Sequence, residues 1–153
     1  MNLLLWRHAE AEDGNPDLAR PLTAKGRAQA SQVGHWLNKR LATEPRIYSS
    51  PAVRTRETAG ALGAPFTVLP ELAPGASAEE VLDALGLPLR SERSAIIVVV
   101  GHQPWIGETA ALLVTGKVLS WSVRKAAVWW LQERTRGGAA AWLVKAVIDP
   151  DLI

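Results

Sequence analysis

Residues Ala95-Ile96-Ile97-Val98-Val99-Val100 carry no polar side chain, and all but the first branch at Cβ. An apolar run this short and without alternation has no face to offer water. It predicts a central strand covered on both sides. That requirement selects an α/β design, with helices on both faces of a largely parallel sheet. The run ends in Gly101-His102-Gln103-Pro104. An imidazole is thereby expected at a strand's carboxyl end, where open α/β sheets bind their ligands.

A second strand signal lies at the start of the chain. Leu3-Leu4-Leu5-Trp6 runs straight into Arg7-His8. If the two runs are parallel neighbours, His8 and His102 meet at one rim although they are distant in sequence. Each histidine alone could be an ordinary loop residue. Two of them, one after Arg and one between Gly and Gln-Pro, point to a shared site.

The remaining elements follow from local chemistry. Residues 9–22 form a polar loop with Gly14, Pro16 and Pro21. Thr23 caps a helix over residues 24–41, whose Val33, Trp36, Leu37 and Leu41 form one apolar stripe. His35 lies off that stripe and is expected in solvent. Residues 46–49 are a short strand. Ser50-Pro51 reads as an N-cap with proline at the first helical position, opening a helix over residues 52–62. Residues 65–69 are a third short strand. Residues 77–85 are helical, with Ser77 and Glu80 in a capping-box pattern. Residues 105–113 form a further helix. Residues 126–133 and 139–148 are strands around the Gly137-Gly138 turn, hence a hairpin. Trp142, Val144, Ala146 and Ile148 alternate onto one face. The expected architecture is three-layer α/β/α, with a mostly parallel mixed sheet and a C-terminal antiparallel hairpin, in a single domain over residues 1–153.

Composition removes several classes of function. At 48% apolar and 21% charged, 153 residues can bury a core without covalent staples. The absence of cysteine excludes disulfides, thiol catalysis and thiolate metal sites. Three histidines are too few for a His-rich metal site. Seventeen Lys and Arg stand against 15 Asp and Glu, too balanced for a nucleic-acid partner to be expected. No apolar run approaches the roughly 20 residues that span a bilayer, so no membrane partner is expected. Leu3 to Trp6 is too short for a signal-peptide core and has no basic leader before it. A cytoplasmic protein is the expectation. No Gly-rich phosphate loop follows a strand, which speaks against a nucleotide-binding domain. The seven tryptophans, four of them at Trp121, Trp129, Trp130 and Trp142, are expected in core or sheet-face packing.

Five sequence pieces occur in a telling order: Leu5-Trp6-Arg7-His8-Ala9; Arg20-Pro21-Leu22-Thr23 with Gly26-Arg27; Ser49-Ser50-Pro51-Ala52-Val53-Arg54-Thr55 with Glu57-Thr58; Leu69-Pro70-Glu71-Leu72; and Val100-Gly101-His102-Gln103-Pro104. In this order the chain resembles the histidine phosphatase superfamily, with its phosphoglycerate mutase-like fold. Within that superfamily it resembles the small phosphohistidine phosphatases of the SixA type. Ala9 replaces the glycine of the common Arg-His-Gly signature, a change that SixA-like members tolerate.

The resemblance implies that His8 is the nucleophile and becomes phosphorylated. It assigns Arg7 and Arg54 to the phosphoryl oxygens, with His102 as a further donor. Arginine suits this work because its planar fork matches paired phosphate oxygens and stays ionised. Arg54 also lies near a helix N-terminus, which favours an anion. Arg56, two residues on, faces elsewhere. Arg20 is implied as an additional phosphate ligand, with a plain loop arginine as the alternative. Glu71 falls where larger relatives keep a general acid. Glu10 and Glu12 are read as solvated loop carboxylates. No metal and no organic cofactor are implied.

About 25 residues separate Pro70 from Ala95, leaving little room for a large capping insertion. An open site would admit a histidine presented on another protein, such as a phosphocarrier or a phosphorelay domain. The expected function is removal of phosphate from phosphohistidine on such a partner. The alternatives are a small-molecule phosphomonoester phosphatase of the same fold, and a phosphoprotein-binding module without turnover.

Overall fold

A computed structural model describes residues 1–87, 95–137 and 139–153. Six strands form one sheet: β1 (Asn2–Arg7), β2 (Arg46–Ser49), β3 (Thr67–Val68), β4 (Ile96–Gly101), β5 (Val128–Arg136) and β6 (Ala139–Ile148). Their spatial order is β3-β2-β4-β1-β5-β6. The first four are mutually parallel, and β5 runs antiparallel to both β1 and β6. This is the three-layer, mostly parallel mixed sheet expected from the sequence. Gly137 opens the β5–β6 turn at φ +60°, a backbone angle glycine takes without a Cβ clash. Its expected turn partner, Gly138, lies outside the described residues.

Every residue of β4 is buried, as an unbroken apolar run requires. Successive side chains of β1 and β4 point to opposite faces and so divide the core in two. Leu3, Leu5, Ile97 and Val99 pack under α3 (Ala78–Leu85) and α4 (Trp105–Thr115). Leu4, Trp6, Val98 and Val100 pack under α1 (Ala24–Asn38) and α2 (Val53–Gly60). Val33 and Leu37 of α1 are fully buried in the second layer, and His35 is exposed as expected. Thr23 accepts from the Gly26 N–H, and Ser77 and Glu80 close the capping box. The interval from α3 to β4 runs partly through residues 88–94, outside the described residues, so the expectation of a missing capping insertion extends beyond them. Among the described residues, no helix is long and apolar enough to cross a membrane.

Two expectations need correction. The stripe over Trp142, Val144, Ala146 and Ile148 does not share one face. Leu131 pairs with Val144 but Trp130 pairs with Ala146, so Lys145 is an extra residue in the ladder. Such a bulge reverses the facing of everything beyond it. Trp142 therefore packs with Leu3 and Leu5, whereas Ala146 and Ile148 pack with Leu4 and Trp6. The second correction concerns Ser50-Pro51. Helix α2 starts at Val53 with Ala52 as its N-cap, and the Ser50 hydroxyl, two residues earlier, accepts from the Ala52 N–H and also meets His102 Nε2.

Candidate active site

The parallel pairing of β1 with β4 sets Arg7 opposite Gly101. The next residue continues the ladder, with the His8 N–H donating to the Gly101 carbonyl at 3.0 Å. His8 and His102 thus leave adjacent strands side by side, their ring centroids 5.3 Å apart. Gly101 is required here by contact. A Cβ at that position would stand 1.9 Å from the Trp105 ring, which packs beneath the site.

His8 is held on both sides of its peptide. Its carbonyl accepts from the Ala126 N–H, at 3.1 Å. The following N–H, of Ala9, donates to Thr58 Oγ1 at 3.1 Å, and that hydroxyl donates to the Arg54 carbonyl at 2.7 Å. Nδ1 of His8 lies 2.7 Å from the Ala9 carbonyl. A carbonyl can only accept, so Nδ1 carries the proton and Nε2 keeps a free lone pair. Burial pushes the imidazole down to about 4, against the Ala9 bond; Arg54, Arg7 and Arg20 add to the lowering. At neutral pH His8 is therefore uncharged and nucleophilic at Nε2.

The arginines arrive by three routes. Arg7, the last residue of β1, donates through one terminal nitrogen to the Val123 carbonyl at 2.7 Å. The turn after Val123 is fixed near it by the Arg7 N–H, which donates to the Ala127 carbonyl. Arg54 stands in the first turn of α2 and is buried, at 3% exposure. It donates to the Asp17 carbonyl at 2.8 Å and to Asp17 Oδ2 at 3.0 Å. Arg20 is brought back by the loop of residues 9–22, which folds on itself through the Ala11–Leu22 bridge. The Leu22 N–H donates to Glu57 Oε2, tying that loop to α2. Arg20 Nε lies 3.1 Å from Asp17 Oδ1, without the alignment of a hydrogen bond. The buried Nε groups of Arg7 and Arg54 have no hydrogen-bond partner among the described residues. Unpaired cationic donors turned inward are costly unless an anion uses them.

The other side of His102 completes the cluster. Its Nδ1 lies 3.3 Å from an Arg54 terminal nitrogen, and its Nε2 lies 2.7 Å from Ser50 Oγ. Burial, then His8 and Arg54, push His102 down to about 3, with Asp17 opposing and Arg7 adding.

The structure therefore brings together Arg7, His8, Arg54 and His102, with Arg20 joined through Asp17. Glu71 is exposed in a short 3-10 turn, Pro70–Leu72, and lines a cleft with Pro70, Ala73, Gly75, Ala76 and Glu80. Arg56 is exposed, as expected. Glu10 is half-buried rather than freely solvated, since it accepts from Thr23 Oγ1 and pairs with Lys25. The sequence assigns no role at the site to Asp17, Ser50 or Thr58. For Thr58 a signal existed, because its i, i+4 spacing from Arg54 puts both on one helix face. Among the described residues, no group of three or more His, Cys, Asp or Glu could hold a metal ion.

This geometry has counterparts in known proteins. The model of the histidine phosphatase superfamily, branch 1, matches residues 3–76. A phosphohistidine phosphatase SixA homologue of Haemophilus influenzae is 35% identical over 127 residues, covering 74% of this chain and 77% of that protein. The chain belongs to the histidine phosphatase superfamily. Its structural neighbours agree. The protein histidine phosphatase SixA, solved with tungstate, superposes with a TM-score of 0.83 at 25% identity, over 99% of both chains. A protein from Nakamurella multipartitia proposed to be SixA gives 0.79 at 27% identity, over 97% of this chain and 95% of that one. Membership of the superfamily, with its SixA-like relatives, supports a phosphatase.

Proposed function

We propose that this chain removes phosphate from phosphohistidine on a partner protein, through a phosphohistidine intermediate at His8. One observation carries the reading: the Nδ1 proton of His8 is committed to the Ala9 carbonyl, so Nε2 is a lone-pair nucleophile beside Arg7, Arg54 and His102. In the first step the Nε2 lone pair attacks phosphorus and the substrate's P–N bond breaks. The substrate ring, protonated at its remote nitrogen, leaves as neutral imidazole. In the second step water attacks phosphorus and the His8 P–N bond breaks. Because Nδ1 has kept its proton throughout, His8 also leaves as neutral imidazole, and water's surplus proton goes to solvent or phosphate. One P–N bond is exchanged for another, so the first step is near thermoneutral.

The protein's contribution is position and charge stabilisation, the main demand of phosphoryl transfer. Arg7, Arg54 and Arg20 are the proposed cations. An imidazole leaving group protonated at its remote nitrogen needs no separate carboxylic acid, so this reading does not depend on Glu71. The SixA-named relatives support phosphohistidine as the substrate class. The test is turnover of a phosphohistidine protein against p-nitrophenyl phosphate, with acid-labile phosphate trapped on the enzyme. Preference for the phosphohistidine protein, with label on His8 and none in His8→Ala, is expected. A strong preference for a sugar phosphate overturns the reading.

A further inference from the structure

Ser50 has no role in the chemistry so far, yet it is fully buried against the site. Its hydroxyl accepts from the Ala52 N–H at 3.3 Å and meets His102 Nε2 at 2.7 Å. The other ring nitrogen faces Arg54, which has only donors to offer. Nδ1 must therefore present its lone pair, which places the His102 proton on Nε2, donated to Ser50 Oγ. In this state the nitrogen turned toward the arginines cannot donate to a phosphoryl oxygen. To do so it must gain a proton, and the ring then needs an acceptor for Nε2–H as well.

We propose that Ser50 is a positioning residue that aims Nδ1 of His102 at the phosphoryl group and sustains the ring's doubly protonated form there. A singly protonated phosphoryl group supplies the proton: its O–H passes to Nδ1, and the resulting oxygen accepts the new Nδ1–H bond. The complex gains and loses no proton overall. Nε2–H stays on Ser50 Oγ before, during and after the transfer. The titratable and charged groups facing His102 are the neutral His8 just after β1, Arg7 at the end of β1, Arg54 from α2 and Asp17 from the loop. The two arginines and Asp17 act in opposite senses, and the phosphoryl anion adds to the Asp17 side. Trp105 closes the ring's edge without charge.

This inference rests on the phosphatase reading, but its test separates the two. Protein labelled with ¹⁵N-histidine is titrated with inorganic phosphate, and kcat/KM is measured against pH. In the wild type, saturating phosphate is expected to protonate both His102 nitrogens, and activity falls as that ring loses its proton at higher pH. In Ser50→Ala the falling limb moves to lower pH, the second proton is not seen at neutral pH, and kcat drops roughly tenfold. Ser50→Thr, which keeps the hydroxyl, restores the limb. An unchanged limb and unchanged ¹⁵N signals in folded Ser50→Ala overturn the proposal, while label on His8 in the wild type leaves the phosphatase reading intact. Should Ser50→Ala not fold, a Ser50→Thr profile displaced like that of Ser50→Gly overturns it equally.

Discussion

The Asp17 carboxylate lies 3.0 Å from the Arg54 guanidinium and bridges it to Arg20, whose Nε is 3.1 Å from the other carboxylate oxygen. Arg54 holds the Asp17 carboxyl below its ordinary value by hydrogen bond and by charge. An anion on this side of the cluster thus meets two arginines that already share a carboxylate. It must displace Asp17 or lie beside it, against like charge.

Asp17→Asn should therefore bind oxyanions more tightly. The carboxylate is about half exposed, so screening keeps the gain modest, near 1 kcal/mol or several-fold in the inhibition constant of phosphate or tungstate. Competitive inhibition at two salt concentrations checks this. Weaker binding would instead mean that Asp17 chiefly holds Arg54 in place.

Arg54 and Arg56 offer an internal control, two positions apart on one helix. Arg54 is buried beside His102, whereas Arg56 is exposed. Arg54→Ala should lower kcat by about 10²–10³, the usual loss for one donor at a developing oxyanion. Arg54→Lys should recover little, since it keeps the charge and loses the fork. Arg56→Ala should stay within about twofold. Equal effects at both positions would remove Arg54 from the site.

Thr58 supports the nucleophile through the backbone. Its hydroxyl is the acceptor for the Ala9 N–H and is itself fully buried. Thr58→Val keeps the shape and strands that N–H, at a cost of about 1–3 kcal/mol. The Ala9 carbonyl that orients His8 should shift with it, so kcat falls alongside stability. Thr58→Ser should recover both. Denaturant unfolding and steady-state kinetics on the three proteins decide the matter.

How much of this was legible in the sequence depended on how local each cause was. The meeting of His8 and His102 could be read because two unbroken apolar runs both end in histidine, and such runs pair as parallel neighbours. Caps at Thr23 and Ser77 could be read because the partners lie three residues away. Ser50 was misread for the same reason. A serine before proline looks like a cap, but its local partner is only the Ala52 N–H before the helix, and its other partner, His102, is 52 residues distant. Asp17 sat in a loop whose return over α2 depends on Glu57 and Leu22, contacts that no periodicity signals. The bulge at Lys145 is invisible to a period-two pattern, because the extra residue changes facing without changing composition.

Two buried neutral histidines also make the fold sensitive to acid. His8 is pushed down to about 4 and His102 to about 3, mainly by burial, from an ordinary value near 6.5. Between those values the unfolded chain binds protons that the folded chain refuses. Stability is then lost as pH falls from about 6.5, and the loss continues toward 4 and below. With both rings mostly buried, the effect should reach on the order of 1–2 kcal/mol per histidine by pH 5. Asp17, whose carboxyl is lowered by Arg54, adds a loss of the same sign only below its ordinary value of 3.8. Urea midpoints measured from pH 7.5 to 4.5 should fall steeply in the wild type and less so in His8→Asn or His102→Asn. A midpoint that is flat over this range would show that the rings are solvated, and with that the neutral nucleophile at His8 would lose its physical basis.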